Sequence, residues 1–499
     1  MQSNGLKEKT IIGMIWSSIG KFGTMGLSFI SNLILARLLM PEDFGCIGML
    51  QVFIAISGIL VTAGFGTALI QKKNPSHVDF SSVFYWNLAT SVILYSILFV
   101  CGPAIARFYA MPELCKVLRI QSISLIILAF SAIQSCQLQK QLRFKELSVR
   151  NIVASLAGAI CAIIMALCNC GVWSLVASSL VGSITNVLLL WKMSSWRPSW
   201  EFSFQSLKEL FSFGGLMALS ALVETVYFHI QSLIIGKLYS ANQLGYFTQA
   251  RKLESVPTET LSQIVNQVSF PIFATLQDDK EKLRYGVKKN IKAISYLNFP
   301  LMVLLIIIAK PLIILLYGAK WEPAIPYFQI LCISSMIYTL NTLNTNVIKS
   351  LGKGKTYFFL QLSKRLIGIA LILTGTLFGI YGLLWACTIF GYVCFIINAL
   401  VNKRTIQYGL WAQIKDVGGC YLLSLIIGAA VYFSCTLLPI HMYLIMLIQI
   451  ILYTGIYLLI SKCLHMEGYS TYKTIIMERF HKYTNDSSKK VKRYEYKNY

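Results

Sequence analysis

Charge is what this sequence has least of. Asp, Glu, Lys and Arg together make up 13% of its 499 residues, about half the ~25% usual in a soluble globular domain. A chain so poor in charge, and 56% hydrophobic, cannot clothe a water-soluble surface, which excludes a large soluble enzyme. Histidine is scarce too. The five present are scattered, so no metal constellation is visible, no HExxH pattern occurs and no cofactor is implied. The thirteen cysteines contain no CxxC pair. Most, such as Cys161, Cys332, Cys387, Cys394 and Cys435, sit in apolar runs, where a thiol behaves as a small hydrophobe. Cys168 and Cys170 flank Asn169, a spacing too weak to mark a metal or redox site. There is no G-x-S-x-G elbow. Gly352-Lys353-Gly354-Lys355-Thr356 has the look of a phosphate loop, but Lys349 stands where the first glycine belongs, so it reads as a basic turn. Asp278-Asp279 reads as a solvated turn. The chain is therefore read as something other than an enzyme.

Long apolar runs are what it has instead. A helix needs roughly 20 mostly apolar residues to cross the ~30 Å hydrocarbon core of a bilayer. Such runs recur from Ile11 to Ser461, and the mean hydropathy of the whole chain is +0.64. Counting runs bounded by polar turns predicts an all-α membrane protein with about 14 transmembrane helices, the second near 44–69 and the eighth near 245–271. The first run is too long for a signal peptide and lacks an A-x-A site; it is expected to remain as the first helix.

The net charge is +24, yet the basic residues alternate with apolar segments and form no single patch, so nucleic acid is not the expected partner. They behave as topology signals. If both termini are cytoplasmic, the inside loops and tails hold 32 of the 44 Lys and Arg, seven lie outside and five fall within spans. Retention of Lys and Arg on the cytoplasmic side sets orientation, so both termini are predicted to face the cytoplasm. The longest outer loops, near 103–116 and 310–326, are too short to form domains. The basic tail beyond Lys462 either lies on the anionic inner leaflet or is simply solvated.

The chain also repeats itself about 200 residues apart. Leu33-Ile34-Leu35-Ala36-Arg37-Leu38 is echoed by Leu233-Ile234-Ile235-Gly236-Lys237-Leu238, and Gly45 by Gly245. After a shift of eight, Pro103 and Tyr109 match Pro311 and Tyr317, and Gly171-Val172-Trp173-Ser174-Leu175 matches Gly379-Ile380-Tyr381-Gly382-Leu383. Six spans separate the copies, an even number, so the repeat is parallel, with a substrate site expected between the halves. The expected organisation is an N-terminal lobe (1–200), a C-terminal lobe (201–410), two further helices (411–465) and a basic cytoplasmic tail (466–499).

Polar groups in spans are costly unless they face protein or water. The first span carries Ser17, Lys21, Thr24, Ser28 and Ser31 on one helical face, and the seventh carries Ser220, Glu224, Tyr227 and Gln231. Such stripes serve either tight helix packing or a polar cleft; Lys21 and Glu224, near mid-span, favour the cleft. The eighth span is wetter, with Gln249, Arg251, Lys252, Glu254, Ser255, Glu259, Ser262, Gln263, Asn266 and Gln267. Arg251 and Lys252 either line the cavity or pair with Glu254 or Glu259. Lys364 and Arg365, about two turns into the eleventh span, either reach the cavity or snorkel to the interface. The candidate substrate-binding residues are thus Lys21, Glu224, Arg251, Lys252, Lys364 and Arg365. Their cationic bias suits an anion such as a diphosphate, to which Arg offers bidentate hydrogen bonds.

Three segments carry a family resemblance. Asn32-Leu33-Ile34-Leu35-Ala36-Arg37-Leu38-Leu39-Met40-Pro41-Glu42-Asp43-Phe44-Gly45 resembles the junction of helices 1 and 2 in the polysaccharide-transport branch of the MOP superfamily, the multidrug, oligosaccharidyl-lipid and polysaccharide exporters. Ile234-Ile235-Gly236-Lys237, Leu244-Gly245-Tyr246-Phe247 and Ala250-Arg251-Lys252-Leu253 resemble helices 7 and 8, and Pro103-Ala104-Ile105-Ala106-Arg107-Phe108-Tyr109 the turn after helix 3. The likeness covers nearly all of residues 10–460. It implies two six-helix lobes plus two helices, alternating access, and a flippase that moves undecaprenyl-diphosphate-linked oligosaccharide repeats across the bacterial inner membrane for surface polysaccharide (lipopolysaccharide, O-antigen) assembly. Implied partners are the lipid-linked oligosaccharide, membrane lipids, a coupling cation (proton or sodium) and other polysaccharide-assembly proteins. Gln231 stands where relatives often carry an acid, with Glu224 the acid nearby. A drug exporter of the same superfamily, whose cavity would be apolar and acidic, and a membrane polymerase or ligase, which would need a large outer loop, are the competing readings.

Overall fold

The computed structural model describes residues 2–437, 439–474 and 477. Every regular element among them is helical. In chain order the helices are α1 (Gln2–Leu38), α2 (Pro41–Thr62), α3 (Phe65–Gln71), α4 (His77–Phe108), α5 (Glu113–Gln121) and α6 (Ile123–Lys140). They continue with α7 (Phe144–Leu167), α8 (Val172–Met193), α9 (Phe204–Leu238), α10 (Ala241–Thr275), α11 (Lys280–Ile307) and α12 (Ala309–Tyr317). After a 3-10 turn (Ala319–Ala324) come α13 (Ile325–Ser350), α14 (Gly354–Thr376), α15 (Gly379–Ile406), α16 (Leu410–Thr436) and α17 (Met442–Cys463).

Local chemistry starts several of these helices. Ser76 accepts a hydrogen bond from the Asp79 amide at 3.1 Å while Asp79 accepts one from the Ser76 amide at 2.8 Å, a capping box at the head of α4. Asp43 accepts from the Met40 amide at 2.8 Å with Pro41 opening α2. Asp279 accepts from the amides of Glu281 and Lys282 at the start of α11.

The membrane architecture expected from hydropathy is the one adopted. Thirteen helical segments of the described chain are long and apolar enough to cross a bilayer. The remaining expected span is α10. At 35 residues it is roughly 52 Å long at ~1.5 Å per residue, but its charges keep it out of the apolar set. The second expected span is broken: Ala63 and Gly64 take left-handed φ of 42° and 70° and separate α2 from α3. Two stretches expected as loops are largely helical. Residues 103–108 complete α4 through Pro103 and α5 follows at Glu113, whereas 310–317 lie in α12. Apolar residues at helical spacing, such as Leu312, Ile313 and Leu316, let α12 form as a short helix.

The chain forms two compact units. One holds the chain up to Gln249 together with Leu316–Trp321; the other holds Ala250–Leu315 and the described chain from Glu322 onward. In the first, α7 packs between α1 and α8, and α6 against α4 and α8. Its core gathers Phe65, Phe80, Phe84 and Trp196. In the second, α11 packs on α13 and α16, and α15 on α13 and α14. Buried amides as well as apolar groups hold it. Asn344 and Gln413 exchange bonds of 2.9 and 3.0 Å, and Asn402 donates to the Asn344 oxygen at 2.7 Å. After α17, residues 467–474 are helical and docked on α11, with Lys292 bonded to Glu467 at 2.6 Å and the Tyr472 hydroxyl donating to the Ala293 carbonyl at 3.2 Å. The basic run of the tail, 478–499, lies outside the described residues.

Candidate functional site

The polar stripe of α1 is largely open. Ser17, Lys21 and Ser28 are exposed, with Thr24 and Ser31 half-buried; Thr24 spends its hydroxyl on the Gly20 carbonyl at 2.8 Å. On α9, Ser220 and Glu224 are exposed and Gln231 is half-buried. Side chains used for tight packing would be covered, so Ser17, Lys21, Ser28, Ser220 and Glu224 are not spent on packing within their unit. Further along α1, Asn32 and Gln249 form a buried reciprocal amide pair at 2.7 and 3.3 Å.

On α10, Arg251 is half-buried, while Lys252 and Glu259 are exposed. Glu254 is buried and accepts hydrogen bonds from the hydroxyls of Thr258, at 2.5 Å, and Ser335 on α13. Two hydroxyl donors thus hold this carboxylate, an arrangement the sequence does not reveal because Ser335 lies 81 residues away.

Lys364 has a different setting from Lys21. It is buried, and its ammonium donates to Asn398 Oδ1 on α15 at 3.2 Å. Asn398 in turn donates to Asn341 Oδ1 on α13 at 2.8 Å, and Asn341 to the Gly391 carbonyl at 2.9 Å. Its neighbour Arg365 is half-buried. The polar run Asn341-Thr342-Leu343-Asn344-Thr345-Asn346 is the signal in the sequence that marks this network.

Where α1, α2, α9 and α10 meet, the contacts come in matched pairs. A Cβ on Gly45 would lie 1.8 Å from the Ala241 carbonyl oxygen, and one on Gly245 would lie 1.9 Å from that of Pro41, so each crossing helix needs glycine where the other begins. Arg37 Nε donates to the Leu316 carbonyl at 3.1 Å, and Lys237 Nζ to the Phe108 carbonyl at 2.5 Å. Each of these pairs joins positions that correspond in the internal repeat. Lys320 adds bonds to the carbonyls of Arg37 and Leu39 at 2.8 and 2.6 Å, and the Trp321 indole donates to Ala36 at 2.8 Å. Phe44 and Tyr246 both set their rings edge-on to Trp321. Lys320 and Trp321 escape sequence reasoning because they belong to a short segment between helices.

Ion pairs gather at other helix ends. Lys72 lies 2.9 Å from the buried Asp79 and 3.6 Å from Glu209; the hydrogen bond to Asp79 raises the Lys72 ammonium above its ordinary value. Asp416 takes Lys288 at 3.3 Å, Lys292 at 3.2 Å and the Tyr408 hydroxyl at 2.9 Å. Burial, reinforced by the Asp416 charge, pushes the Tyr408 hydroxyl up.

Over residues 34–326, more than half of its length, the chain matches the family described as polysaccharide biosynthesis protein. It belongs to that family. Among polysaccharide biosynthesis proteins it is 26% identical over 421 residues to the succinoglycan biosynthesis transport protein ExoT of Rhizobium meliloti, covering 83% of this chain and 84% of that one. It is 25% identical over 431 residues to the lipopolysaccharide biosynthesis protein WzxC of Escherichia coli, covering 84% and 85%. The fold is similar to that of the lipid II flippase MurJ, solved in an inward closed conformation, with a TM-score of 0.73 at 18% identity over 90% of this chain and 99% of that one. The family resemblance read from the segments around Arg37 and Lys237 is borne out.

Proposed function

We propose that this protein is a flippase that carries undecaprenyl-diphosphate-linked oligosaccharide repeat units across the bacterial cytoplasmic membrane for surface polysaccharide assembly, by alternating access. It is a transporter, not a catalyst. The observation that carries this reading is α10, a membrane-length helix with Arg251, Lys252, Glu254 and Glu259 along its middle, in a chain whose relatives are named for polysaccharide biosynthesis and transport. Charges in mid-membrane are retained where they act on a charged substrate. Lys21 on α1 and Arg251 and Lys252 on α10 are the cations assigned to the diphosphate. Glu224, exposed on α9, is the acid assigned to a coupling proton or sodium ion. Lys364 serves its unit from within through Asn398, and Arg365 beside it is assigned to the substrate.

Both termini are assigned to the cytoplasm, as the bias of Lys and Arg supports. The paired contacts around Gly45, Gly245, Arg37 and Lys237 then lie on the outer side, and their correspondence supports two parallel lobes of six helices at 1–200 and 201–410. The test is leaflet exposure of labelled lipid-linked oligosaccharide in cells with and without the protein. Outer-leaflet exposure that vanishes on deletion, with accumulation inside, is expected; unchanged exposure refutes the reading.

A further inference from the structure

Within the first unit, α2, α5, α6 and α8 do not close completely on one another. They leave a cavity of about 470 Å³, inside the ~300–1,000 Å³ range of small-ligand pockets and far more than the ~30 Å³ share of one water. Each helix presents one face to it. Gln51 and Ile54 come from α2, Ser124 and Ser131 from α6, and Ser179 and Ser183 from α8. None of the sixteen lining residues carries a charge.

The polar groups of this wall are partly unsatisfied. Gln121, at the end of α5, is 8% exposed and donates its amide hydrogen to Ser179 at 2.8 Å, which fixes the orientation of the amide. Its Oε1 has no partner, and neither has Asn186 Oδ1 across the cavity wall. Ser131 has already spent its hydrogen on the Leu128 carbonyl at 2.9 Å and retains only acceptor capacity. A buried acceptor without a donor is costly. The Gln121 and Asn186 oxygens lie within the wall; what the cavity itself offers is the Gln51 amide and serine hydroxyls, which suit a hydroxyl-rich molecule.

The chemistry narrows the occupant. An ion entering here would shed its hydration shell without meeting a counter-charge. A lipid chain would strand the amides and serines against hydrocarbon. A sugar satisfies both requirements, since its hydroxyls exchange hydrogen bonds with the Gln51 amide and the serine hydroxyls of the wall. Its C–H faces pack on Ile54, Leu125 and Leu175.

We propose that this cavity is a saccharide pocket that receives an uncharged sugar of the oligosaccharide and selects which repeat is carried. The pocket rests on the flippase reading for its role but has chemistry of its own. The test compares leaflet exposure of the complete lipid-linked repeat with that of the lipid bearing only the first sugar, in wild-type cells and in cells carrying Gln121→Leu or Ser183→Leu. The leucine variants remove an amide or fill the space, and are expected to lower the ratio of complete repeat to single-sugar lipid by about tenfold. Ser183→Ala, which keeps the space, lowers it less. A wild-type ratio in the leucine variants overturns the proposal. So does an equal loss of both lipids at normal protein levels, because that outcome assigns the residues to helix packing. If wild-type cells expose neither lipid, the flippase reading fails on its own. The pocket is then judged by thermal unfolding of the purified full chain with the released oligosaccharide. A rise in Tm that Gln121→Leu abolishes supports it, and no rise overturns it.

Discussion

Two lysines expected within spans illustrate how burial divides roles. Lys21 is exposed on α1, whereas Lys364 is enclosed and bonded to Asn398. Removing Lys21 costs the fold little, because an exposed side chain gives up few contacts; Lys21→Ala and Lys252→Ala are expected to lower lipid-linked oligosaccharide exposure while leaving the melting temperature near wild type. Lys364→Ala strands the Asn398 oxygen in a buried network and is expected to destabilise by about 1–3 kcal/mol, read by thermal unfolding in detergent. At a helix end, Lys72 and Asp79 supply a pH dependence. The folded Lys72 holds its proton more tightly than the unfolded chain does. Its contribution is therefore complete below the unfolded value of about 10.4 and is lost as pH rises through the higher folded value. Lys72→Met should remove that alkaline loss, as seen in melts taken across that range.

At the scale of elements, the crossing of α2 and α10 makes the sharpest demand. An added methyl at Gly45 or Gly245 meets a backbone carbonyl, which cannot rotate away as a side chain does, so the helices must part. Gly45→Ala and Gly245→Ala are each expected to cut transport. The double variant should add little, since one parting already relieves the other contact; additive losses would contradict this. Much of this arrangement was legible beforehand. The spans followed from apolar runs, and α10 was found by its length even though its charges weaken the signal. The pairing of Arg37 with Lys237 and of Gly45 with Gly245 was visible as register. What was hidden depends on long-range contact: the break at Ala63, the short helices α5 and α12 in place of loops, and the hydroxyls around Glu254. The cavity was hidden for another reason. It is a place where four helix faces fail to meet, and a sequence carries no mark for missing atoms.

For the whole molecule, the asymmetry of charge carries the prediction of orientation. Cys168 and Cys463 are both exposed, each at the C-terminal end of its helix, and fall on opposite sides of the membrane in the proposed topology. A membrane-impermeant maleimide applied to intact cells stripped of the outer envelope should label Cys168, with Cys463 reacting only after permeabilisation. Peptide mapping of the labelled sites reads the result, and the reverse pattern inverts the assigned topology.

The two basic arms around this crossing, Arg37 and Lys237, take hold of main-chain carbonyls, those of Leu316 and Phe108. Every amino acid offers such a carbonyl. The receiving positions can therefore change through many substitutions without loosening the fastening, whereas loss of either donor removes a bond. The fastening thus tolerates change at Leu316 and Phe108 so long as Arg37 and Lys237 keep their donors.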